Sequence, residues 1–132
     1  MAKKFMWGTD EDEVKNIPYE TFLKLTTSRN RRTLLRLNQN PKLKTLIEKV
    51  RKLKTANLLK KAVKTHVRDA VILPEWVGIT FAVHNGKEFK PIVITFDKVG
   101  KRLGDFSHTT GRVLHSGPGV GATRGSKFVP LK

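Results

Sequence analysis

The chain has no cysteine. That excludes disulfide staples, a thiol nucleophile and cysteine-ligated zinc, and it suits a reducing cytosol. It is also poor in acids, with 11 Asp and Glu against 27 Lys and Arg, and it has a single tyrosine. Long apolar runs are missing too. The longest stretches free of Asp, Glu, Lys and Arg, residues 76–86 and 113–123, have 11 residues each, about half of what a membrane-spanning helix needs. The N-terminus lacks the apolar region of a secretory signal, since Lys3-Lys4-Phe5-Met6-Trp7 runs into Asp10-Glu11-Asp12-Glu13.

What is present is positive charge. The formal net charge is +16 over 132 residues, a length that predicts one domain. With 38% hydrophobic residues, a modest core can form. Residues 1–20 are net −2, residues 21–72 net +13 and residues 73–132 net +5. Charge of that density requires a polyanion as partner or destabilises the fold by self-repulsion. Nucleic acid is the first candidate.

Local patterns organise the chain. The acids at 10–13 suit the first turn of a helix, where carboxylates face the positive dipole end. Pro18 opens a short helix over residues 18–25. Arg29, Arg31, Arg32 and Arg36 follow within eight residues, and guanidinium forks match phosphate. Asn40-Pro41 predicts a capped helix start. Leu43, Leu46, Ile47, Val50 and Leu53 then form one apolar stripe. Residues 55–64 read as a basic connection or frayed helix. Alternation at 77–83, the His84-Asn85-Gly86 corner and residues 87–94 predict a β-hairpin. A three-residue corner loop sets Phe81 opposite Phe89 and Ile79 opposite Pro91, and is preferred over a two-residue Asn85-Gly86 loop because it gives a continuous apolar face. Thr95 can cap a single turn at 96–99 stopped by Gly100. A short third strand is expected near 103–107. Trp76, Phe81, Phe89 and Phe106 are assigned to the core.

The fold class expected is α+β: a small antiparallel sheet with N-terminal helices and extended basic termini. Residues 1–64 form the basic helical part, 65–115 the α+β unit and 116–132 a glycine-rich tail.

Catalytic motifs fail. Gly117-Pro118-Gly119-Val120-Gly121-Ala122 fits a dinucleotide pattern, but Pro118 interrupts it and too little chain follows for the helix and ribose-binding acid. No phosphate-binding G-x-x-x-x-G-K-[ST] or nucleophile elbow occurs. His66, His84, His108 and His115 do not pair at helical spacings, so neither a metal site nor a cofactor is expected. No enzyme is indicated.

Four segments carry a resemblance. Thr65-His66-Val67-Arg68, Pro74-Glu75-Trp76-Val77-Gly78, Ala82-Val83-His84-Asn85-Gly86-Lys87 and Val99-Gly100-Lys101-Arg102-Leu103-Gly104-Asp105-Phe106 occur in that order. Together they resemble the universal small-subunit ribosomal protein family numbered nineteen in bacteria and fifteen in eukaryotes. The block at 29–36 and the tail at 117–132 are similar to its archaeal and eukaryotic branch. The chain departs from the family pattern at Lys101-Arg102, at His115-Ser116 and at Arg124-Gly125-Ser126. The resemblance implies a cytoplasmic, ribosomal protein in the head of the small subunit. Its partners would be the subunit's rRNA and the neighbouring head protein numbered thirteen, with the tail reaching toward the decoding region and tRNA.

On this reading Arg29, Arg31, Arg32, Arg36, Lys52, Lys54, Lys61 and Lys64 would contact RNA phosphates. His66, Arg68, His84, Asn85 and Lys87 would contact RNA around the hairpin end. Lys101 and Arg102 would do so from a turn, and Arg112, His115, Arg124 and Lys127 from the C-terminal segment. The rival is a general basic adaptor that coats nucleic acid or an anionic membrane. It would need only the charge of residues 21–72.

Overall fold

The structure is a computed structural model and describes residues 8–59 and 61–114. Four helices precede a small sheet: α1 (Glu11–Lys15), α2 (Tyr19–Leu25), α3 (Ser28–Leu35) and α4 (Pro41–Thr55). The α+β class expected from the sequence holds. So do the helix boundaries at Pro18 and Asn40. Pro18 stands just before α2, and the Asn40 side chain accepts from the Leu43 N–H at 3.4 Å. Leu43, Leu46, Ile47 and Val50 are buried along the expected stripe of α4, with Leu53 half-buried at its end. The acids at 10–13 do open a helix, and Glu13 accepts from the Asp10 N–H at 3.4 Å.

The sheet is mixed rather than purely antiparallel. Its order is β1 (Val63–Thr65), β2 (Thr80–His84), β3 (Phe89–Val93), with β1 parallel to β2. The third strand is therefore Val63–Thr65, which starts in the segment read as a connection and crosses the boundary drawn between residues 64 and 65. Three residues with alternating burial are too few for a sequence period to register. The segment expected as the third strand, Leu103–Phe106, is a 3₁₀ turn. The Asp105 carboxylate accepts from the Arg102 N–H at 3.1 Å and closes that turn locally. Leu103 and Phe106, three residues apart, then both pack on the core.

The hairpin register also differs from expectation. Phe81 pairs with Ile92 and His84 with Phe89, so the loop has four residues, 85–88. The pairing continues through Ile79 and Ile94, whose N–H donates to the Ile79 carbonyl at 3.0 Å. Ile79, Phe81, Ile92 and Ile94 are all buried, so this register also makes an apolar face. The loop length is set by Asn85, whose side-chain oxygen accepts from the Lys87 and Glu88 N–H groups at 3.0 and 2.8 Å.

One hydrophobic cluster links the helices to the sheet, from Val14 and Phe22 through Leu34 and Val50 to Trp76, Phe81 and Leu103. Trp76 and Phe81 are fully buried, with ring centroids 5.0 Å apart. Phe106 packs against the cluster, half-buried. Phe89, also assigned to the core, instead lies half-buried among histidines at the end of the sheet. The expected turn forms as a 3₁₀ turn at Phe96–Lys98, but the Thr95 side chain makes no cap bond to it, and Gly100 then takes φ +78°, which favours glycine.

Candidate nucleic-acid interface

Helix α3 carries two faces. Asn30 and Leu34, four apart, are buried. Arg29, Arg32 and Arg36 recur at i, i+3 and i+7, sharing another side. All three are exposed, and none of their guanidiniums has a hydrogen bond or ion pair among the described residues. Arg31 is held differently. It donates to the carbonyls of Leu23, Lys24 and Thr26 at 2.7, 2.9 and 3.1 Å. These are carbonyls at the C-terminal end of α2, where helical partners run out.

The buried Asn30 joins this helix to the turn at 100–102. Its Nδ2 donates to the Gly100 carbonyl at 2.7 Å, and its Oδ1 accepts from Arg102 Nε at 2.9 Å. Arg102 also donates to Thr33 Oγ1 at 3.1 Å. The expected sites at 29–36 and 101–102 are thus one neighbourhood, with Lys101 exposed beside it. Nothing in the spacing of residues seventy apart signals this latch. An asparagine at a buried helix position was the one available hint.

The second group gathers at one end of the sheet. His66, which follows β1, has its ring centroid 4.6 Å from His84 at the end of β2. Both approach Phe89 at the start of β3, at 5.1 and 4.8 Å, edge to face. Lys64 Nζ stands 5.5 Å above the Phe89 ring. Arg68 lies beneath as a clamp. It donates to the carbonyls of His84 at 2.7 Å and Gly104 at 3.0 Å, and to that of Ser107. Gly104 is needed here, because a Cβ would stand 2.9 Å from the Arg68 carbonyl oxygen. Arg31, Arg68 and Arg102, all expected to contact RNA, therefore spend donors on the fold. Asn85 serves the turn, as described above, and Lys87 is exposed on the same loop.

The remaining expected contacts lie elsewhere. Lys52 is exposed on α4, while Lys54 donates to the Glu75 carbonyl at 3.1 Å, next to the Arg51–Glu75 ion pair at 3.1 Å. Lys61 and Arg112 are exposed on connecting segments. His115, Arg124, Lys127 and the glycine-rich tail lie outside the described residues. Among the described residues no group of three histidine, aspartate or glutamate side chains is placed to hold a metal, and no helix is long and apolar enough to cross a membrane.

The pattern is one of free cations beside arginines that are bonded to the fold. The profile of the family described as ribosomal protein S19 matches residues 36–115, more than half of the chain. Relatives agree over greater lengths. The chain is 45% identical over 125 residues to a protein of Saccharolobus solfataricus, covering 95% of this chain and 89% of that one. It is 44% identical over 131 residues to one of Metallosphaera sedula, covering 98% and 93%. A third, of Methanococcus maripaludis, is 42% identical over 127 residues, covering 95% and 79%. All three bear the name small ribosomal subunit protein uS19.

The chain belongs to the ribosomal protein S19 family. Ribosomal protein S19 is a structural component of the ribosome and not an enzyme, which agrees with the absence of any catalytic motif in the sequence. The match begins at Arg36, so α1, α2 and all of α3 precede the part that the S19 profile describes. The relatives of comparable length extend over that N-terminal region as well.

Proposed function

We propose that the chain is a structural component of the small ribosomal subunit and binds that subunit's rRNA through two patches. The first is Arg29, Arg32, Arg36 and Lys101 around the Asn30 latch. The second is Lys64, His66, His84 and Lys87 at the hairpin end. The observation that carries this reading is the division of labour among the arginines. Arg31, Arg68 and Arg102 hold backbone and side-chain acceptors, while Arg29, Arg32 and Arg36 remain exposed and unpaired among the described residues. Unpaired guanidiniums on a rigid frame suit phosphate recognition. Arg68 and Arg31 act in this reading by shaping the surface.

The finer placement rests on family resemblance: the head of the subunit, a neighbouring protein numbered thirteen, and a tail directed to the decoding region and tRNA. The protein then works in the cytoplasm, on the ribosome. The deciding experiment is sedimentation of a lysate through a high-salt sucrose gradient, followed by detection of the chain. It is expected to remain with small subunits after the wash. Release to the top of the gradient would leave only diffuse electrostatics and sink the reading. Deletion of residues 117–132 tests the finer part. A tail near the decoding region predicts impaired translation with subunit association retained, whereas a coating protein would be indifferent to the loss.

A further inference from the structure

The mixed sheet places one ring from each strand at a single end. His66 leaves β1, His84 ends β2 and Phe89 begins β3. The three centroids lie within 4.6 to 5.1 Å of one another. A core cluster of this kind would be closed over, but His66 is exposed and the other two are half-buried. The His84 ring and its backbone are also held in place. The His84 carbonyl accepts from Arg68 at 2.7 Å, and His84 Nδ1 accepts from the Gly86 N–H at 3.0 Å. Lys64 and Lys87 flank the group, and both are exposed.

We propose that His66, backed by His84 and Phe89, is a stacking platform for one unpaired nucleobase of the bound RNA. The proposal rests on the RNA-binding reading above and deepens it. Unstacked bases lie against aromatic and histidine rings, whereas bases within a duplex cannot. Preorganised rings lose little freedom when a base arrives. Lys64 and Lys87 supply the positive field that draws the adjoining phosphates.

The test uses the full-length chain and two probes: a short single-stranded RNA carrying 2-aminopurine, and an RNA duplex. The wild-type chain is expected to bind both and to quench the 2-aminopurine. His66→Ala should lose the quenching and about ten-fold in affinity for the single strand, with the duplex unaffected. His66→Tyr should restore both, which separates stacking from misfolding. Equal weakening on the two probes, or none on either, would overturn the platform. So would loss of small-subunit association by His66→Ala with both RNA affinities intact, since that outcome puts a protein on this face. Failure of the wild-type chain to bind either probe in a salt-dependent way would instead defeat the RNA reading, and the platform with it.

Discussion

At the scale of single residues, the informative side chains are those that the charge pattern disguises. Asn30 sits inside an arginine-rich run, yet it is buried and bonded on both sides, to the Gly100 carbonyl and to Arg102. Asn30→Ala should cost about 2 kcal/mol, because a carbonyl and a guanidinium N–H each lose a partner in a largely desolvated place. Urea denaturation measures it directly. Tyr19 offers a different test. Although Tyr19 remains 44% exposed, partial desolvation raises its phenol above the ordinary value of 10.0, with the Arg51 charge acting in the other direction. The unfolded chain then loses this proton first, so the folded state is progressively disfavoured as pH rises through 10.0 toward the raised value. Tyr19→Phe should flatten that part of the alkaline stability profile relative to wild type, the lysines being common to both. An unchanged slope would mean that the phenol titrates alike in both states.

At the scale of elements, the hairpin shows how a turn overrides a pattern. Two loop lengths at 84–86 could be weighed from apolar alternation, and the observed four-residue loop is neither. The Asn85 side chain decides it by accepting two backbone N–H groups across the corner. Asn85→Ala should therefore destabilise the protein by about 1 kcal/mol and speed amide exchange at Lys87 and Glu88, while leaving α4 untouched. Protection factors from hydrogen exchange resolve the two regions. Helix α4, by contrast, was legible because its information is local: an asparagine cap, a proline in the first turn and a stripe of one period. Strand β1 was not legible, since three residues are too short a run for the β preference of Val63 and Thr65 to stand out, and pairing with β2 is what orders them.

For the whole molecule, net charge sets the coupling to a polyanion, and the fold sets which charges take part. The free chain should bind RNA with a steep logarithmic dependence on salt. Arg29→Ala and Arg32→Ala should each reduce that slope by about 1, because these side chains are unpaired among the described residues. Arg31→Ala should leave the slope less affected and lower stability instead, through the carbonyls it now holds. Titrations at several salt concentrations, paired with thermal melts, distinguish the two kinds of arginine.

The candidate site divides along the same line. Composition established a basic, cysteine-free chain with a small core, motif spacing found no catalytic pattern, periodicity located α4 and the hairpin, and the usual burial of a Trp beside a strand placed Trp76 in the core. Those properties are sums or short-range repeats, so they survive in a linear reading. Which arginines are free, which residues meet at the sheet end and which strand completes the sheet depend on contacts between residues far apart in the chain. Asn30 meets Arg102 across 72 positions, and Arg68 meets Gly104 across 36. Hydrogen-bond geometry and close approach impose those pairings, and both arise only once the core has brought the segments together.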